Sequence, residues 1–185
     1  MYVGHLAVAL AATRVRREAP LWILLLASQW PDWIQLALGA LGAYNAQLYS
    51  HSLPAVTAGA LLFTLLYLRT TGDGRSAWLI AGVYLSHPLL DLVTGGKVWW
   101  PGGPMVGACL YERPAVDFIV EGAIAGVGWL IYRSTKVHDH RHRRPLQGIL
   151  VILLASQAAL DLAAQIRLLR NPRNSTKCSH EVGRL

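Results

Sequence analysis

Long apolar runs alternate along the chain with short segments rich in arginine, glycine and proline. Five of these runs approach the length of a membrane helix: 21–44, 53–68, 77–94, 114–132 and 146–166. A hydrocarbon core of about 30 Å needs about 20 helical residues, so four or five runs qualify as spans. An earlier run, 4–13, is too short to span alone and predicts a short N-terminal helix. The pattern predicts an all-α, polytopic membrane helical bundle with about five transmembrane helices.

Composition supports this membrane interpretation. Hydrophobic residues make up 54% of the 185 residues and charged residues only 15%, with a mean hydropathy of +0.35. A soluble domain carries about 25% charged residues. The formal net charge of +7 is therefore concentrated in short segments. A nucleic-acid-binding protein would also be basic but not this apolar, so no nucleic-acid partner is expected.

The basic loops predict an orientation. Three loops rich in arginine contain Arg14, Arg69 and Arg133, whereas the intervening loops, 45–52 and 95–113, carry only Lys97 and Arg113 as basic residues. The positive-inside rule places the arginine-rich loops in the cytoplasm, where they would attract anionic lipid headgroups. We expect an integral protein of a bacterial inner membrane, with one membrane-embedded domain over 1–166 and a basic, flexible tail over 167–185. The tail is also basic, so either the last run does not cross or the tail breaks the rule.

Ionisable residues occur inside or beside the apolar runs, and they fall at matching depths. Asp32, His87 and Glu121 each lie about a dozen residues from a basic loop, or about 18 Å along a helix. Asp91 and Asp117 lie one turn further out, and His51 and His5 lie near the outer ends of their segments. All seven are therefore expected to converge in the outer half of one bundle.

The spacing of His87 and Asp91 places both side chains on one helix face. A single intramembrane histidine is as readily explained by a buried hydrogen bond as by a ligand role. Buried hydrogen bonds are a weaker explanation for five such residues at one depth, because each residue carries a desolvation cost. Imidazole and carboxylate groups without thiolates suit zinc and other divalent metals. Pro31 and Pro88 lie beside these residues and predict local breaks in helix hydrogen bonding.

Asp117 and Glu121 repeat the four-residue spacing on another predicted helix. Two carboxylates on one face favour a cation or a shared proton between them. They are candidates for metal ligation or general acid–base catalysis. The alternative is an ion pair with Arg113 or Lys97.

The order of these motifs resembles a known family. Gly4-His5, Pro31-Asp32, His51-Ser52 and Ser86-His87-x-x-x-Asp91, followed by Thr94 and Pro101, resemble the membrane-bound metal-dependent hydrolases over about residues 4–121. That family is also described as LexA-binding, inner-membrane-associated hydrolases. It is distantly similar to zinc-dependent phospholipase C and P1 nuclease.

The resemblance implies a divalent metal ion, expected to be zinc, that is bound by histidines and aspartates: His5, Asp32, His51, His87 and Asp91. The phospholipase group has a second helix with a His-x-x-x-Glu or His-x-x-x-Asp pair, where this chain has Asp117 and Glu121. One or two ions are therefore expected rather than three, with Glu121 and Asp117 as catalytic candidates.

These observations predict a metal-dependent hydrolase of a phosphoester, in a lipid or lipid-linked substrate. One alternative is a non-catalytic membrane protein whose buried charges bind an ion or relay protons. Another is a membrane scaffold or regulator that holds a partner through its basic loops.

Overall fold

Helices dominate the computed structural model, which describes residues 3–136 and 143–170. The helices follow the apolar runs: α1 (Val3–Ala12), α2 (Leu21–Ala40), α3 (Ala46–His51), α4 (Leu53–Thr71), α5 (Gly74–Thr94), α6 (Pro114–Lys136) and α7 (Arg143–Arg170). A short 3-10 helix, Leu110–Glu112, precedes α6.

The predicted all-α fold needs one correction, because the loop after α5 contains a small antiparallel hairpin. Its strands are β1 (Lys97–Val98) and β2 (Met105–Val106), with Lys97 opposite Val106. The strands have only two residues each, too few for an alternating pattern, and the glycines and prolines around them predict a loop.

The short helix α1 lies at the centre of the bundle. One buried apolar cluster joins it to α2, α4 and α5, and a second joins it to α6 and α7. Small side chains allow this close packing: Gly128 of α6 lies against Ala7, where a Cβ would overlap the backbone. The predicted N-terminal helix is thus confirmed, and it is a core element.

Side chains and glycines near the helix ends define the boundaries. The Ser52 hydroxyl accepts a hydrogen bond from the Ala55 N–H at the start of α4, and the Asp73 carboxylate caps α5 through the Ser76 N–H. The run predicted at 21–44 ends earlier as a helix, at Ala40, before Gly42 with φ +76°. The chain then turns into the separate helix α3, which ends at His51.

Three helices within the described residues are long and apolar enough to cross a membrane: α4, α5 and the segment Pro114–Thr135 of α6. Large apolar side chains cover their outer surfaces; Leu61, Leu65 and Ile119 are all more than half exposed. Such an apolar exterior requires lipid around it. The count of about five spans is not confirmed, because buried polar residues such as Gln29 and Asp32 interrupt α2, and the apolar part of the last helix is only Gln147–Ala163.

The predicted domain boundary at residue 166 stays a prediction. Helix α7 continues to Arg170, so the first four residues of the predicted tail are helical. The rest of that tail, 171–185, and the loop residues 137–142 lie outside the described residues.

Candidate metal centre

The five predicted metal ligands come together from four helices. His5 lies at the start of α1, Asp32 in α2, His51 at the end of α3, and His87 and Asp91 in the second half of α5. None of the five is more than 7% exposed. The convergence predicted from depth along the helices therefore agrees with the tertiary structure for these residues.

Four of the side chains surround one small volume. His51 Nε2 lies 3.1 Å from His87 Nε2, 3.2 Å from Asp32 Oδ1 and 3.4 Å from Asp91 Oδ2. His87 Nε2 lies 3.7 Å from Asp32 Oδ1 and 3.5 Å from Asp91 Oδ2. Adjacent ligands around one zinc ion, with bonds of about 2.0–2.2 Å, are about 3.0–3.6 Å apart. The separations therefore suit an ion held by His51 and His87 together with either carboxylate.

Hydrogen-bond partners on the far side of each ring orient the two histidines. His87 Nδ1 lies 2.8 Å from the Ser28 carbonyl oxygen and must donate to it. His51 Nδ1 lies 2.7 Å from Ser50 Oγ, and the Ser50 hydroxyl also lies 3.0 Å from the Ala46 carbonyl. When that hydroxyl donates to Ala46, His51 Nδ1 donates to Ser50 Oγ. Metal-binding histidines are oriented by such partners on the other nitrogen.

With both Nδ1 atoms donating, Nε2 is the lone-pair nitrogen of both His51 and His87. Two lone pairs 3.1 Å apart, with two carboxylates beside them, repel each other unless a cation lies between them. Burial lowers the pKa of His51, which favours the neutral ring that binds metals. The cation can be a metal ion or a proton, and the donor set fits a divalent metal.

The Ser28 carbonyl lies in the proline-containing part of α2. Pro31 has no N–H, so it removes the helix hydrogen bond to the Ala27 carbonyl, one residue before Ser28. A carbonyl oxygen has two lone pairs, so Ser28 can accept from His87 Nδ1 in addition to any helix bond.

His5 forms a second group with His87 and Asp91. Its ring stacks on His87 with centroids 3.7 Å apart, and its Nε2 lies 3.3 Å from Asp91 Oδ1. Neither ring nitrogen of His5 has a well-directed hydrogen bond among the described residues. Asp91 thus presents one oxygen to His5 and the other to His51 and His87, as a carboxylate between two ions would.

Lys97 is the site residue that the sequence interpretation missed. Its Nζ lies 3.4 Å from Asp91 Oδ2 and 3.5 Å from Gln35 Oε1. The sequence offered it only as an ion-pair partner for Asp117 or Glu121. One signal was present: Lys97 is the sole lysine before residue 136, and it follows Asp91 by six residues.

Asp117 and Glu121 belong to a different buried cluster. The Val3 N–H donates to Glu121 Oε2 at 3.3 Å, and the Gly4 N–H also contributes, so Glu121 caps the N-terminus of α1. Asp117 faces Asp161 of α7, which accepts a hydrogen bond from Gln157 Nε2 at 3.0 Å. Glu121 contacts α1 at Val3, which precedes His5 by two residues, so α1 connects this cluster to the metal-ligand group.

The basic loops gather at the other end of α1. Arg16 Nη2 lies 3.1 Å from both oxygens of Asp73, its Nε donates to Ser76 Oγ at 2.7 Å, and Arg14 donates to Ser134. These contacts join the α1–α2 loop, the start of α5 and the end of α6. The helix α1 is about 15 Å long, so it separates this arginine-rich end from the site end.

Comparison with known families gives one match. The model of the YdjM inner membrane protein family matches residues 1–166, which include every side chain of both clusters. No curated protein and no solved structure matches the chain.

Proposed function

We propose that this chain, which belongs to the YdjM inner membrane protein family and is an integral inner membrane protein, is a metal-dependent hydrolase embedded in that membrane. The proposed substrate is a phosphoester in a lipid or lipid-linked molecule. The observation that carries the proposal is the pair of facing Nε2 lone pairs of His51 and His87, flanked by Asp32 and Asp91.

The residues have separate tasks in this proposal. Asp32, His51 and His87 form one ligand set, and His5, His87 and Asp91 form a second set that shares His87 with the first. Asp91 Oδ2 also lies 3.4 Å from His51 Nε2, so Asp91 can serve either ion. When bound, a divalent metal such as zinc lowers the pKa of a water molecule and polarises a phosphoryl oxygen. Ser28 and Ser50 hold the two imidazoles in the ligating tautomer.

The catalytic role predicted for Glu121 and Asp117 stays a prediction. The contacts of Glu121 favour a positioning role, because its carboxylate holds the start of α1 and therefore His5. Asp117 is engaged with α7.

The location of the site supports a membrane-derived substrate. The ligands lie at the end of the bundle away from the arginine-rich loops, which the positive-inside rule assigns to the cytoplasm. Water and lipid headgroups meet at such an end. The proposed reaction is therefore hydrolysis at the outer face of the membrane.

Metal content and hydrolysis, measured together, test the proposal. We expect purified protein in maltoside detergent to bind divalent metal stoichiometrically and to hydrolyse a phosphodiester such as bis-p-nitrophenyl phosphate or a phospholipid. Chelation and His87→Ala should each abolish both properties. Ser86→Ala is the matched control, because the Ser86 hydroxyl bonds only within its own helix, to the Val83 carbonyl. Hydrolysis that survives both chelation and His87→Ala would overturn the proposal.

A proton-relay or ion-binding site without catalysis is the second candidate. It is favoured by the many short contacts that the histidines and aspartates make with one another, including His5 with Asp91 and His51 with Asp32. Protein that carries no metal, even after equilibration with zinc or manganese, would support this alternative. Stoichiometric metal that is lost in Asp91→Ala would reject the relay.

A further inference from the structure

The hairpin after α5 is fixed to the helices that carry the metal ligands. The Gly95 N–H donates to the Asp91 carbonyl at 2.7 Å, and the Gln47 side chain of α3 donates to the Gly96 carbonyl at 3.1 Å. On the other side, the Trp99 carbonyl accepts from the Leu53 N–H at 2.8 Å. These bonds lie on both sides of Lys97 in the sequence. The backbone of Lys97 is therefore held in place over the site.

A glycine in the second half of the hairpin permits this close approach. Gly107 has φ +144°, and a Cβ there would overlap the Gly95 carbonyl. The segment around it pairs with the end of α5 through the Ala108 N–H and the Leu92 carbonyl, 2.9 Å apart. A larger residue would move the hairpin away from Asp91.

The Lys97 side chain is directed at the ligand group. It is only 12% exposed, and its ammonium lies 3.4 Å from Asp91 Oδ2 and 3.5 Å from Gln35 Oε1. Both contacts are long for hydrogen bonds of an ammonium, which has three donors. The ammonium can therefore donate a shorter hydrogen bond to another oxygen at the site.

Charge balance indicates which oxygen that would be. Asp32 and Asp91 balance one divalent ion when the imidazoles are neutral, so the Lys97 ammonium leaves one positive charge unbalanced. A phosphodiester carries one negative charge and restores neutrality. A second ion would strengthen the attraction for an anion.

We propose that Lys97 is a substrate-binding residue whose ammonium binds a non-bridging oxygen of a phosphodiester at the metal-loaded site. This inference rests on the proposed function, and it narrows the substrate from phosphoesters in general to phosphodiesters. The Asp91–Lys97 contact is then the resting position of a side chain that turns to the substrate.

Binding of small phosphodiesters tests the inference without relying on turnover. The probe is dimethyl phosphate, added to zinc-loaded protein in maltoside detergent, which contains no phosphate, and followed by ³¹P NMR or calorimetry. We expect Lys97→Gln to weaken binding about tenfold or more, as expected for loss of a charge-assisted hydrogen bond. Lys97→Arg should retain most of the affinity. Arg75→Gln, at an exposed position in the first turn of α5, should change nothing.

Two further ligands separate charge recognition from other causes. Neutral trimethyl phosphate should bind weakly and equally to wild-type protein and Lys97→Gln. A short-chain phospholipid should depend on Lys97 as dimethyl phosphate does. Tighter binding of the phospholipid would identify a lipid headgroup as the source of the diester, and equal binding would identify a water-soluble one.

Three results would overturn the inference. One is wild-type affinity for dimethyl phosphate in Lys97→Gln with its zinc retained, and another is metal-loaded wild-type protein that binds no diester. The third is loss of zinc in Lys97→Gln, which would make Lys97 a structural partner of Asp91. Absence of metal from the wild-type protein rejects the proposed function as well, and elemental analysis alone recognises that case.

Discussion

Two buried clusters in this bundle begin from the same sequence spacing. His87 and Asp91 lie four residues apart on α5, and Asp117 and Glu121 lie four apart on α6; all four are almost completely buried. On α5 the imidazole Nε2 meets another imidazole Nε2 and two carboxylates. On α6 Glu121 meets the backbone N–H groups of α1, and Asp117 meets α7.

The difference lies in what balances the buried charge. In the cluster on α6, the Val3 N–H at the start of α1 pairs with one oxygen of Glu121, because the first N–H groups of a helix have no partner inside that helix. Glu121 Oε1 and both oxygens of Asp117 have no hydrogen-bond partner among the described residues, and Asp117 lies beside Asp161, so these carboxyl groups can share protons. The cluster on α5 instead brings lone pairs and carboxylates together, and such a group needs a cation. Spacing alone therefore selects a helix face, and the partners across the bundle decide which chemical groups that face meets.

The largest expected difference is between two variants that each neutralise one aspartate, one variant in each cluster. Asp91→Asn should weaken zinc binding by more than about 100-fold, since the loss of an outer partner already costs about 10–100-fold. The matched change Asp161→Asn, in the cluster on α6 and α7, should leave zinc content unchanged. Elemental analysis after equilibration with buffered zinc measures both. Equal losses in the two variants would show that the clusters form one site.

A smaller effect is expected from the hydroxyl that orients His51. Ser50→Ala removes the acceptor 2.7 Å from His51 Nδ1, and zinc affinity should fall about 10–100-fold. Ser86→Ala removes a comparable hydroxyl that bonds only within α5, and it should bind zinc as the wild type does. Unchanged affinity in Ser50→Ala would mean that Ser50 does not set the tautomer.

The cap on α1 tests the second cluster. Glu121→Leu should lower the free energy of unfolding by about 1–2 kcal/mol, as for other lost helix caps, and should weaken zinc binding through His5. Glu121→Gln keeps an acceptor oxygen and should recover most of both properties. Unfolding in mixed detergent micelles, with and without zinc, gives the two readouts. If Gln and Leu behave alike, the carboxylate acts other than as a cap.

The smallest effect is expected at the arginine-rich end, where Arg16 and Asp73 are partly exposed to solvent. The hydrogen bond from Ser76, together with Arg16, lowers the pKa of Asp73 in the folded state. The resulting stability is present above the unfolded pKa of about 4 and is lost as the pH falls through the lowered folded pKa. Asp73→Asn should remove this acid dependence and leave zinc content unchanged. An unfolding curve that keeps the same pH dependence in the variant would contradict this assignment.

Much of the metal-ligand group could be predicted without the tertiary structure. Helical periodicity places His87 and Asp91 on one face, and the distance from the basic loops places Asp32 at the same depth. Depth is readable because a membrane fixes where the helices begin. Depth does not tell which way a side chain points around the helix axis. Glu121 lies at the same depth as His87, yet its carboxylate contacts the start of α1.

The remaining features depended on packing between distant segments. Lys97 reaches Asp91 only because Gln47 and Leu53 hold the hairpin in place, and short strands with such backbone bonds leave little pattern in a sequence. Composition and periodicity were sufficient for the membrane class and for the residues able to bind a metal, since both follow from chemistry along one helix. The folded chain alone decides which of these residues lie together and that the Lys97 ammonium lies beside Asp91, because both depend on the rotation of the helices and the path of the loop.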